Sequence, residues 1–293
     1  MLTIKIRKEY RDLMKTLFSC FFITVVACTA IVGEVKGVGK DFIVFDGTTY
    51  KNKPDLSIYG IKPINLIYRN ALWRERKNIN DLPEVTRVRE SARGAKASRK
   101  IVIIDIEHWK LSGPKSIVIE SLSKYMTVLR WFNDATPEVL FGYYGLPPLR
   151  DYWRAIKDSN TPEYLSWQAE NDSLQPLVDR VNVLLPSLYT FYTDREAWVK
   201  YALATIREAR RYPGNKPVYV FLWPQYHQSN HFLGLKYLPA DYWKLELETV
   251  RQYADGVVIW GGWDFDKNAK AQWDDDAPWV QVTKKFMKEL KYQ

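Results

Sequence analysis

The run Ile101-Val-Ile-Ile-Asp105-Ile-Glu107-His-Trp109 holds the residues best suited to chemistry. Four apolar residues predict a buried strand, and side chains two apart on a strand share a face. Asp105 and Glu107 are therefore expected side by side where the strand ends. Two carboxyls this close do not ionise independently, so one keeps its proton toward neutral pH. A protonated carboxyl beside an ionised one is the equipment of glycosidic bond cleavage. With Cβ atoms roughly 6–7 Å apart along one strand, both groups approach a sugar from the same side. That suits substrate-assisted hydrolysis, in which the glutamic acid protonates the leaving oxygen and the substrate's own N-acetyl oxygen attacks the anomeric carbon. The aspartate then orients the acetamide.

The rest of the chain supplies elements that could position such a pair. Apolar strand candidates are Phe42–Phe45, Ile64–Tyr68, Ile101–Ile106, Val139–Tyr144, Val181–Tyr189, Val218–Trp223 and Val257–Trp260. Their largely continuous apolar character fits parallel strands buried on both faces. Between them, Ser116–Asn133, Asp194–Arg211 and Ala240–Tyr253 show helical spacing of apolar residues. Seven β/α repeats predict a single (β/α) TIM-type barrel, seven- or eight-stranded and distorted, over residues 34–293. An open doubly wound sheet is the alternative. No glycine-rich phosphate fingerprint follows a strand, so no nucleotide cofactor is expected. In a barrel the active site lies at the C-terminal strand ends, where Asp105 and Glu107 fall.

Several segments resemble the hyaluronidase family of glycoside hydrolases, family 56. Asp105-Ile-Glu107-His-Trp109 is similar to its catalytic motif, and Phe141-Gly-Tyr-Tyr144-Gly-Leu-Pro147 to its W-G-Y-Y-x-x-P strand. Val183-Leu-Leu-Pro186-Ser187-Leu-Tyr189, Tyr226-His-Gln-Ser-Asn230-His231-Phe232-Leu233 and Gly256-Val-Val-Ile-Trp260-Gly261-Gly-Trp263 follow in the family's order. The resemblance covers about residues 100–265. It implies Glu107 as proton donor and Asp105 as partner of the acetamide. Tyr189 and Tyr226 would contact the N-acetyl group, Trp260 would floor the sugar site, and Tyr144 and Trp263 would line it. Lys110 stands where the family has arginine, and the family's usual cysteines are missing, as expected of a disulfide-free bacterial relative.

The chain has 293 residues and a net charge of +9, with 12 Trp, 19 Tyr and 12 Phe. Its apolar and charged shares exclude a disordered chain and a multi-span membrane protein. Five basic residues before an uncharged apolar run from Leu17 to Gly33 read as an export signal, or as a lipoprotein or anchor segment, over residues 1–33. Both cysteines, Cys20 and Cys28, fall within it. Export leads to an expected secreted or periplasmic location, with membrane contact only through that segment. Arg74, Arg76 and Lys77 follow the second strand candidate and are expected at the C-terminal face, facing an acidic N-acetylhexosamine polysaccharide. Arg93–Lys100 are expected on the opposite face. His227 and His231 lack a third ligand nearby in sequence, so no metal is expected. No nucleic-acid-binding module is recognised. The rival readings are a chitinase-like hydrolase of neutral polymers and a non-catalytic carbohydrate-binding barrel, which would have no need of both carboxyls.

Overall fold

A computed structural model describes residues 42–74, 78–96 and 101–291. The expected export segment, with Cys20 and Cys28, lies outside the described residues, as do Arg76 and Lys77. Among the described residues no helix is long and apolar enough to cross a membrane.

The strands are β1 (Ile43–Thr48), β2 (Lys62–Pro63), β3 (Asn65–Tyr68), β4 (Ile101–Asp105), β5 (Leu140–Tyr143), β6 (Tyr219–Leu222) and β7 (Gly256–Gly261). β1 pairs in parallel with β7 on one side and β2 on the other. Beyond Ile64, the same stretch of chain continues as β3, which pairs with β4, and β4 pairs with β5. Residues 183–190 run between β5 and β6 through parallel bridges, Tyr144 to Leu185, Leu184 to Val218 and Ser187 to Phe221. β6 then pairs with β7 and closes the ring. Counting β2 and β3 as one interrupted strand and 183–190 as another, seven parallel strands form the barrel among the described residues. Parallel strands need crossovers, and helices supply them.

Two apolar layers follow from strand alternation. Ile101 and Ile103 of β4 face the interior with Phe45, Val183, Leu185, Phe221 and Val258. Val102 and Ile104 face outward, into the layer beneath the helices. The helices are α1 (Arg69–Leu72), α2 (Val85–Lys96), α3 (Lys115–Ala135), α4 (Tyr152–Ala155), α5 (Pro162–Asp172), α6 (Gln175–Val178), α7 (Arg195–Arg211), α8 (Ala240–Tyr253) and α9 (Pro278–Lys291). On α3, Leu122, Tyr125, Val128, Leu129 and Phe132 recur at three and four, so one stripe is buried. Each such side chain contributes roughly 1.5–3 kcal/mol on burial. Asp194 starts α7 by accepting from the Ala197 amide at 3.0 Å, satisfying a donor the helix itself cannot.

Gly142 shows how tightly the interior is filled. A Cβ there would lie 2.6 Å from the Val183 carbonyl oxygen and 2.7 Å from the Leu185 side chain. Strand β5 therefore approaches residues 183–185 only because this inward position is bare.

Candidate active site

Asp105 is the last residue of β4 and sits in register with Tyr68 of β3. It has the parity of Ile101 and Ile103, so it tops the interior column of its strand at the C-terminal mouth. The following loop is pinned from beneath. The Tyr125 hydroxyl lies 2.9 Å from the Ile106 carbonyl oxygen and 3.2 Å from that of Trp109. Tyr143 in turn donates to the Tyr125 carbonyl at 2.8 Å. Trp109 is buried edge-on against Trp73 and Tyr125, and its indole N–H donates to the Ile79 carbonyl at 3.1 Å. Glu107 projects from this braced loop, two residues past the strand end.

Around the pair stand the tops of the neighbouring strands. Trp260 of β7 donates its indole N–H to the Tyr68 hydroxyl at 3.1 Å. Tyr189 stacks on Trp260, centroids 5.8 Å apart and planes 28° apart. Trp223 meets Trp260 edge-on at 5.0 Å. The Tyr144 and Ser187 hydroxyls are hydrogen-bonded at 3.1 Å. Residues 187–189 are held from the helix side, where Tyr201 donates to the Ser187 carbonyl at 2.7 Å and Trp198 to that of Leu188 at 3.1 Å. Arg150, in the loop after β5, places its guanidinium 4.0 Å from the Glu107 carboxylate.

Burial dominates the electrostatics. It pushes the Asp105 carboxyl from 3.8 up to about 7; the charge of Glu107 adds to the rise and Arg69 opposes it. Glu107 keeps 51% of its side-chain surface exposed, yet lies deep enough in the mouth for burial to raise its carboxyl, with Arg150 opposing. The two groups are coupled, and the pair retains a proton close to neutral pH. The Tyr68, Tyr144 and Tyr189 hydroxyls are all raised, by burial first, so each stays a neutral donor. The mouth thus offers a shared proton, a carboxylate, phenolic donors and flat aromatic faces. A pyranose with an amide substituent matches that set.

The structure brings together Asp105, Glu107, Tyr144, Tyr189 and Trp260 from the sequence expectation. It does not bring Tyr226. That ring is buried in the layer between strands and helices, facing Tyr242 of α8 at 6.5 Å, with Arg195 and Glu246 acting on its hydroxyl. The reason is parity, because Tyr226 bridges to Thr190, whose hydroxyl turns outward to the buried Glu246 carboxyl. Trp263 begins a short hairpin (Trp263–Asp264 with Ala269–Lys270) and lines a neighbouring open cleft with Tyr50, Tyr237 and Phe265. Arg74 is 65% exposed and its guanidinium is held by Glu84 at 3.1 Å, which compromises it as a free cation for substrate. It does belong to this face, since Trp73 packs on His108 and Trp109. The end of α2 returns to the opposite face, where the Ala95 carbonyl accepts from Asn65 at the start of β3.

Tyr68, Trp223 and Arg150 have no role at the site in the sequence expectation, and His227 figures there only as a metal ligand weighed and set aside. Tyr68 and Trp223 were findable, because Tyr68 ends β3 and Trp223 directly follows β6, each with the inward parity of Asp105. His227 meets the Tyr189 ring at 6.3 Å, and burial, then Arg150, lowers its ring to about 4, so it stands neutral in the wall. Arg150 carries no local signal, as only the folded loop aims it at Glu107.

The family model for hyaluronidase matches residues 119–277, more than half of the chain and beginning just after the carboxyl pair. No curated protein matches by sequence. Among solved structures, bee venom hyaluronidase is similar at 15% identity and a TM-score of 0.55, covering 86% of this chain and 98% of that one. Bee venom hyaluronidase in complex with a hyaluronic acid tetramer is similar at 16% identity and a TM-score of 0.58, covering 86% and 97%. At such identity these likenesses speak for the fold, an α/β barrel.

Proposed function

The chain belongs to the hyaluronidase family of glycoside hydrolases, and from that premise we propose that it is an exported, endo-acting hydrolase of N-acetylhexosamine linkages in a glycosaminoglycan-like polysaccharide. The observation that carries the reading is the placement of Asp105, half-buried among aromatic side chains, two residues from Glu107 at a barrel mouth. A binding protein has no use for a carboxyl held near neutrality, since the burial of its charge costs stability. The hyaluronic acid tetramer bound by the bee venom enzyme supports a polysaccharide as substrate.

The proposed steps use this chain's own groups. The pair enters with one proton. An acetamide N–H reaching Asp105 favours its ionised form, and the proton then serves from Glu107. Glu107 gives it to the glycosidic oxygen as the C1–O bond breaks, and the acetamide oxygen bonds to C1. The ionised Asp105 balances the positive charge of the resulting oxazolinium. Tyr189 and Tyr144 offer hydroxyl donors, and Trp260 packs against the sugar's apolar face. Water then adds to C1 as Glu107 takes a proton from it, and the bond from C1 to the acetamide oxygen breaks, restoring the acetamide. Two inversions leave the anomeric configuration retained.

The test is a screen of the purified protein against hyaluronan, chondroitin, chitin and bacterial N-acetylhexosamine polymers, with Glu107→Gln alongside. Turnover of at least one polymer is expected, falling about a thousandfold or more in the variant. A variant retaining a tenth of wild-type turnover would remove Glu107 as the acid.

A further inference from the structure

The aromatic wall continues past Tyr189. His227 lies 4.8 Å from Phe191, Phe191 is 6.4 Å from Tyr192, and Tyr192 is 5.1 Å from Trp153, ring centroid to ring centroid. Trp153 is 58% exposed and Tyr192 38%. Both stand on segments leaving C-terminal strand ends, Trp153 in the short helix α4 after β5 and Tyr192 just beyond residues 183–190. Arg150, which approaches Glu107, precedes Trp153 by three residues, so one short segment runs from the acid to the exposed indole.

The exposed pair is held firmly. Tyr152 beneath it is buried, edge-on to Trp153 at 5.2 Å, 5.0 Å from Tyr192 and 5.3 Å from Tyr201. Asp151 caps α4 through the Arg154 amide at 2.9 Å, and Arg154 reaches Glu170 of α5 at 2.7 Å. Folding gains nothing by leaving an indole in water on a rigid mount, and exposed aromatics adjoining a site mark where a ligand lies.

We propose that Trp153 and Tyr192 form a distal sugar subsite, a stacking platform for a pyranose of the same polysaccharide chain beyond the ring held at Trp260. This rests on the polysaccharide reading given above. The pyranose lays its apolar face on the indole, Tyr192 flanks the indole with the two ring planes 49° apart, and the sugar hydroxyls remain in water. The platform makes the enzyme favour long chains.

The experiment compares wild type, Trp153→Ala, Tyr192→Ala and Trp153→Phe on length series of hyaluronan and chitin oligosaccharides. Either alanine variant is expected to lose about tenfold in kcat/KM on the longest substrates, through KM, and nothing on the shortest one cleaved. Trp153→Phe should recover most of the loss. A loss equal at every length, or no loss while wild type turns over, would overturn the subsite and leave the hydrolase reading standing. Wild type inert on both series, and on chondroitin and bacterial N-acetylhexosamine polymers as well, would overturn the hydrolase reading, and the subsite with it.

Discussion

Replacing Asp105 by asparagine should stabilise the fold at neutral and alkaline pH while destroying activity. Asp105 holds its proton up to about pH 7 in the folded protein, against 3.8 for an ordinary aspartate. Below pH 3.8 both folded and unfolded chains are protonated at this residue, and the penalty is absent. As pH rises, the unfolded chain releases the proton first, so stability falls, and the loss is complete above about pH 7. At about 1.4 kcal/mol per pH unit the full cost is about 4 kcal/mol. Coupling to Glu107 and partial contact with solvent reduce the expected figure to about 2 kcal/mol. Asparagine does not titrate, so its stability relative to wild type should improve by that amount between pH 4 and pH 8. Any fixed cost of burying the amide cancels in the difference. Urea unfolding of both proteins at the two pH values measures it. A relative stability independent of pH, or one that worsens toward pH 8, would refute the burial argument.

Arg150→Gln removes the cation that draws Glu107 downward, so the Glu107 carboxyl rises further and the basic limb of the kcat/KM profile should move to higher pH. An unmoved limb, or one displaced downward, would sever Arg150 from the acid. Gly142→Ala forces a methyl against the Val183 carbonyl oxygen, where the contact would be 2.6 Å, so a loss of about 1–3 kcal/mol or more is expected in denaturant unfolding. A fully stable alanine variant would mean that β5 and residues 183–185 separate easily.

Much of the barrel could be read from apolar runs because its strands are buried on both faces and each is punctuated by polar residues. Ala240–Tyr253 appears as a helix with the expected bounds. Val181–Tyr189 does not form a continuous ladder, and joins its neighbours through isolated bridges around Pro186. Proline has no amide proton to donate, which interrupts the pairing. The carboxyl pair was legible from the Asp-x-Glu spacing, but the strand expected to carry both ends at Asp105, and Glu107 stands in the loop that the Tyr125 hydroxyl braces. Tyr226 misled because resemblance gives a residue type and order, whereas the face it turns to depends on its bridge with Thr190. Arg150 and the Trp153 platform were illegible for a related reason, as loops after strands meet only once the barrel closes.

The central claim is that Asp105 and Glu107 cleave an N-acetylhexosamine linkage through the substrate's own acetamide. Proton NMR during hydrolysis of a β-linked polymer tests it most directly, by following the anomeric signals before mutarotation. The β anomer is expected first, with the α anomer growing in later. The α anomer appearing first would contradict the account.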